Sequence, residues 1–178
     1  MKMKMRKLAL VVGTLVMAGG AMAADTSTMG ATASVAAACT VGAGTDIALG
    51  SLVMLTADGT QTGVESFSVG TTFPAICTKG TPTPKFTFVS ANPATSTDFR
   101  LMGGTDASEF IAYTPYPSLD ATGTAIVGTE AVAYPGFTAN GVSQPLALSA
   151  KILATDKAGK SVQSYSDTIT ITASFGSL

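Results

Sequence analysis

Residues 24–39 read ADTSTMGATASVAAAC, and they decide the fold that we expect. Apolar residues occupy alternate positions in this stretch, at Met29, Ala31, Ala33 and Val35. A period of two predicts a β-strand with one face meant for burial. Terminal segments are usually disordered unless something ties them down. We therefore expect a strand that can be given to another molecule by edge addition.

The residues before this stretch have the pattern of a secretory signal peptide. Positive charges within 2–7 precede a short apolar run at 8–18 and a small-residue cleavage site that ends at Ala23. The run is shorter than the about 20 residues that a bilayer-spanning helix needs. We therefore expect an exported chain with a leader at 1–23, cut between Ala23 and Ala24.

The composition after the leader excludes several classes of partner. Four of the 10 Lys+Arg residues lie in the leader, which leaves 6 against 11 Asp+Glu and a net charge of −5. That balance argues against nucleic acid and against an anionic membrane surface as partners. Charged residues make up only 12% of the chain, so its surface tolerates association with a neighbouring subunit.

Two cysteines, Cys39 and Cys77, predict one disulfide, because oxidised pairs are the default in exported proteins. A metal site is the alternative, but two Cys and no His make a poor ligand set. In the chain-entropy model, the loop that a Cys39–Cys77 disulfide closes would stabilise the fold by about 4 kcal/mol.

The chain after the leader has no helical period, and short β-branched and aromatic runs alternate with turn residues about every ten residues, as in all-β sandwiches. Alternation is clearest at 145–154, where Leu146, Leu148, Ala150 and Ile152 share a face, and at 164–175. Pro115 predicts an edge position or a bulge. The predicted strands are 28–37, 46–53, 65–78, 85–90, 98–102, 109–116, 124–134, 145–154 and 164–175.

Catalytic chemistry has little support in this sequence. The chain has no His, which removes the usual general base and the commonest metal ligand. A catalytic Ser–Lys pair is left open, but both residue types are so common that their presence alone does not indicate one. We expect no enzyme, no metal and no small-molecule cofactor.

Several segments, taken in order, resemble the spore coat protein U family, which includes the pilins of archaic chaperone–usher pili. The first Cys motif and the terminal Tyr-x-Asp-Thr strand are the most specific of them. The segments are Ala38–Gly42, Ile47–Gly50, Ala75–Gly80, Lys85–Phe88, Phe110–Tyr113 and Tyr165–Phe175.

The resemblance implies an all-β fold: an immunoglobulin-like sandwich at 39–178 that lacks one strand, preceded by a donor extension at 24–38. It implies a surface pilus subunit for adhesion and biofilm formation. The implied partners are copies of itself or sibling pilins, a periplasmic chaperone and an outer-membrane usher. The donor residues would be Met29, Ala31, Ala33 and Val35, and they would enter a groove beside the last strand, which carries Ile169, Ile171, Ala173 and Phe175.

Ala31 and Ala33 depart from this pattern, because large aliphatic residues are expected in a donor strand. Either the acceptor sockets are shallow or the main-chain ladder supplies more of the hold. Two other functions stay open. One is a secreted or fibre-tip adhesin that uses exposed aromatics such as Tyr113, Tyr116 and Tyr134, and the other is a protective coat protein.

Overall fold

The computed structural model describes residues 29–52, the backbone of 66–67, and residues 70–176. The signal peptide 1–23, its cleavage site at Ala23 and Ala24, and residues 25–28 of the extension lie outside the described residues. The chain divides into two units, Met1–Ser34 and Val35–Leu178. Of the first unit, residues 29–34 are described; they are exposed and belong to no strand.

The second unit is almost entirely β-structure in its described part. Its elements are β1 (Cys39–Val41), β2 (Ser66–Phe67), β3 (Thr71–Cys77), β4 (Lys85–Ser90), β5 (Arg100–Gly103), β6 (Phe110–Ala112), β7 (Thr114–Tyr116), β8 (Ala131–Val132), β9 (Gln144–Ile152), one helical turn α1 (Ala154–Lys157), β10 (Tyr165–Ser166) and β11 (Ile169–Ser174). The predicted all-β class is confirmed.

The strands pair antiparallel in three sheets. The first has the order β1-β3-β9-β2, with β7 also paired to β9. The second has the order β11-β4-β8, and the third has the order β10-β5-β6. In the first sheet Cys39 lies opposite Cys77, and in the second Ile171 lies opposite Phe88.

Alternation in the sequence explains which faces pack inward. Leu146, Leu148, Ala150 and Ile152 of β9 are all buried, as the period of two predicted. Strand β3 buries every second residue from Phe73 to Cys77.

The core lies between the first and second sheets, which makes the fold a sandwich. The ring of Phe73 on β3 meets Phe86 and Phe88 on β4 edge to face, with centroid distances of 6.2 and 6.0 Å. Tyr134 packs edge to face on Phe73 at 5.7 Å. Such aromatic pairs stabilise by about 0.5–1.5 kcal/mol beyond their buried area.

The predicted strands 109–116 and 164–175 are each divided in two, into β6 and β7 and into β10 and β11, and the two parts pair in different sheets. Three other predicted strands are shortened or absent. The predicted strand 124–134 is reduced to Ala131–Val132, and residues 29–37 form no strand. Residues 46–52 also have no strand partner among the described residues, although half-buried Ile47 and Leu49 alternate with exposed neighbours. Period-two patterning sets which face is apolar, but a strand needs a neighbour to complete its ladder.

Pro115 lies at an edge, as predicted. Its strand β7 pairs opposite Ala150 of β9, and among the described strands β7 has no second partner. A proline is tolerated at an edge because its missing N–H removes no ladder bond there.

Candidate functional site

The last strand, β11, has one side without a ladder partner among the described strands. It pairs from Ile169 to Ser174 with β4, and no other described strand pairs with it. Ile169, Ile171 and Ala173 are half-buried, and the residues between them are exposed. Phe175 was expected on the same face, but the strand ends at Ser174 and Phe175 is 41% exposed. The vacant edge therefore presents unpaired backbone groups beside an apolar face.

Residues 44–52 lie across from this edge. Ile47 and Leu49 are half-buried, and Ala48 and Gly50 between them are exposed. Thr45 attaches the segment to β3: its N–H donates to the Thr72 carbonyl at 3.4 Å, and its carbonyl accepts from the Thr71 hydroxyl at 3.1 Å. The segment has the alternation of a strand without a partner on the side that faces β11.

A groove of about 830 Å³ runs between these two elements. Its walls carry half-buried aliphatic residues: Ile47, Leu49 and Leu52 on one side, and Ile169 and Ile171 on the other. Its floor includes Phe73, Leu148 and Tyr113, which belong to the core. The groove therefore combines aliphatic walls with many polar lining residues, most of them within 160–168, and has the edge of β11 as one wall.

Asp167, which also lines the groove, fixes the start of β11. Its Oδ2 accepts hydrogen bonds from the hydroxyls of Ser90 and Tyr113, each at 2.7 Å. Its Oδ1 accepts from the Ala91 N–H at 3.1 Å and from the Asn92 side-chain amide at 3.1 Å. Burial, followed by the Asp167 carboxylate, raises the pKa of Tyr113 far above its ordinary value, so Tyr113 stays a hydrogen-bond donor.

A second carboxylate, Glu109, holds the loop that ends the groove. Its Oε2 accepts from the Tyr165 hydroxyl at 2.7 Å and from the Gln163 amide at 2.7 Å. Its Oε1 accepts from the Ser161 N–H at 2.9 Å. The hydrogen bond from Tyr165 is the main reason that the pKa of Glu109 falls to about 2.

The predicted disulfide between Cys39 and Cys77 is present, with the two Cα atoms 4.1 Å apart. It joins β1 to β3, and the N–H of Thr78 donates to the Ala38 carbonyl at 2.9 Å. Residue 38 is therefore fixed at the Cys77 end of β3, whereas the groove is lined by the opposite end, Thr71–Phe73.

The predicted donor residues are exposed. Met29 is 97% and Val35 is 80% exposed, and Ala31 and Ala33 are also exposed. Sequence reasoning missed the 44–52 wall as part of the site, and it missed the roles of Asp167 and Glu109. The Tyr-x-Asp-Thr motif was a signal for Asp167, but its partners Ser90 and Tyr113 are 77 and 54 residues away in sequence.

Within residues 29–52 and 70–176, no cluster of three or more His, Cys, Asp or Glu side chains could hold a metal ion. No helix among the described residues has the length and apolar character to cross a membrane.

The family model of the Spore Coat Protein U domain matches residues 25–172. The chain belongs to the spore coat protein U domain family. The resemblance drawn from the sequence is therefore confirmed, and the match includes the extension, both cysteines and most of β11. A comparison with curated proteins finds no match.

Among solved structures, this spore coat protein U domain chain is similar to a chain from work described as "Chaperone-tip adhesin complex is vital for synergistic activation of CFA/I fimbriae biogenesis". The two are 15% identical with a TM-score of 0.43, and the match covers 78% of this chain and 42% of that chain. The chain thus spans less than half the length of that neighbour.

Proposed function

We propose that this chain is an exported structural subunit of a surface pilus that polymerises by strand donation. The N-terminal extension of one copy, or of a sibling pilin, occupies the groove of the next. A periplasmic chaperone and an outer-membrane usher are the proposed partners before and during assembly. The fibre serves adhesion and biofilm growth.

One observation carries the proposal: within its described residues, the chain combines a strand edge without a ladder partner, beside a groove with aliphatic walls, with an exposed, alternating segment at 29–35 that pairs with no described strand. Burying apolar surface and completing a ladder are both favourable, so each half of this pair is suited to the other. The unpaired alternation of residues 46–52 supports the same idea, because an inserted strand would lie between them and β11.

The position of residue 38 favours donation to another copy over folding back. The groove is lined by Phe73, four residues from Cys77 along β3, a distance of about 13 Å at 3.3 Å per residue. The extension joins β1 at the Cys77 end of β3, where the Ala38 carbonyl is hydrogen-bonded and Cys39 is disulfide-bonded. To reach its own groove the chain must reverse within Ala36 and Ala37 and then cover that distance.

The test is a charge placed on the inward face of the extension. Val35→Asp should abolish fibres, because burying an unpaired carboxylate in an apolar site costs several kcal/mol. Ser34→Asp adds the same charge one position away on the outward face and should assemble normally. The measurement is the yield of fibres sheared from cells that express each variant, with export checked by periplasmic immunoblot. Normal fibres from Val35→Asp, or from a deletion of residues 24–37, would refute the proposal.

A further inference from the structure

The core residues that form the floor of the groove are already almost fully buried. Phe73, Leu148 and Tyr113 line the groove but are only 2%, 4% and 6% exposed. A docked side chain can therefore bury little additional floor, and most of the apolar surface open to it belongs to the half-buried walls.

Residues 42–45, which lead into the 44–52 wall, lie tightly on β3. A Cβ placed on Gly42 would lie 2.8 Å from the Pro74 Cγ, and one on Gly44 would lie 2.9 Å from the Phe73 Cβ. At this end β1 also contacts β11. Backbone packed this closely does not let the floor residues move inward to accommodate a large side chain, because close-packed interiors resist local expansion.

The inward face of the extension has a matching size profile. Its central residues, Ala31 and Ala33, are the smallest side chains with a Cβ, and larger residues, Met29 and Val35, stand on either side. We propose that Ala31 and Ala33 determine the specificity of the groove. The groove accepts the extension of a second copy of this chain and rejects strands with a large aliphatic residue at either central position. This inference rests on the proposed function.

The two possible effects of a larger central residue have opposite signs. On an open floor, Ala→Leu would strengthen binding, because each added methylene that becomes buried is favourable. On a sealed floor, the added carbons overpack the site or hold the strand away from β11 and break its ladder bonds. The exposures of Phe73 and Leu148 favour the second effect.

The experiment measures binding of fluorescent peptides of residues 25–37 to the full mature chain carrying Val35→Asp. That substitution disables the acceptor's own extension and leaves its groove unchanged. Four peptides are compared by fluorescence anisotropy: the native sequence, Ala31→Leu, Ala33→Leu and, as a control, Thr32→Leu. The acceptor is the same in every titration, so failure of a variant to fold does not enter the comparison.

We expect the two alanine variants to bind at least tenfold more weakly than the native peptide. The Thr32→Leu peptide, which adds its bulk on the outward face, should bind within twofold of native. Equal or tighter binding by Ala31→Leu or Ala33→Leu, with the native peptide also bound, overturns the specificity inference alone. A native peptide that does not bind at all overturns the proposed function and this inference with it.

Discussion

Removal of the Asp167 carboxylate should destabilise the second unit by roughly 3–5 kcal/mol. Asp167→Ala leaves the hydroxyls of Ser90 and Tyr113 without the acceptor that each meets at 2.7 Å. Ser90 is 4% and Tyr113 is 6% exposed, so water does not readily replace the carboxylate. Each unsatisfied buried polar group costs about 1–3 kcal/mol, and the lost bonds from Ala91 and Asn92 add to the sum.

The assay is urea unfolding of the mature chain with its disulfide intact and with Val35→Asp to keep it monomeric, followed by circular dichroism. Tyr113→Phe alone removes the hydroxyl donor together with its hydrogen bond to Asp167, and we expect it to lower the free energy of unfolding by about 1 kcal/mol. In the Asp167→Ala/Tyr113→Phe double variant no tyrosine hydroxyl is left without a partner. The loss of unfolding free energy should therefore be smaller than the sum of the two single losses by about 1–3 kcal/mol. A loss below 1 kcal/mol for Asp167→Ala, or strict additivity, would show that this carboxylate does not hold β11 in place.

Three further predictions concern other parts of the unit. Replacing Cys39 and Cys77 with Ser should cost about 4 kcal/mol in urea unfolding, because the unfolded chain regains the entropy of the closed loop; an unchanged midpoint would contradict this. Glu109→Gln should lower the urea midpoint at pH 7. In the folded chain the pKa of Glu109 is about 2, against an ordinary 4.5. The stability that the Glu109 carboxylate contributes is therefore complete above pH 4.5 and is lost as the pH falls toward 2. A difference in urea midpoint between Glu109→Gln and the native chain that does not narrow over that range would contradict the prediction. Phe73→Ala should cost about 3–5 kcal/mol, whereas Phe175→Ala, at a residue 41% exposed, should cost far less; equal losses would contradict the assigned core.

The sequence predicted the elements that alternate and have partners within the chain. Strand β9 was predicted with its buried face, and the Cys39–Cys77 pair followed from export and an even cysteine count. Of the strand predicted at 46–53, the described residues 46–52 form no ladder with another described strand, because propensity does not supply a neighbour. Its position opposite β11 could not be read from the sequence, because it depends on contacts between residues more than a hundred positions apart.

The polar networks were also beyond sequence reasoning. Glu109 and Tyr165 are 56 residues apart, and Asp167 and Ser90 are 77 residues apart. A single sequence gives no signal for such pairs. Tyr113 and Tyr134, the aromatics that a binding surface would need to expose, are each 6% exposed. Burial of these rings gives the adhesin interpretation no support at these two positions.

The central claim is that the extension fills the groove of a different copy. Mature chains with photo-methionine in place of methionine would be prepared with ¹⁴N and with ¹⁵N, unfolded together with disulfides intact, refolded as a mixture and irradiated. Mass spectrometry would then identify the peptides cross-linked to residue 29. We predict that Met29 cross-links to residues 44–52 or to β11 and that about half of these products join a ¹⁴N to a ¹⁵N peptide. Cross-links to the groove that join only peptides of one isotope would mean that each chain fills its own groove, and they would contradict the account.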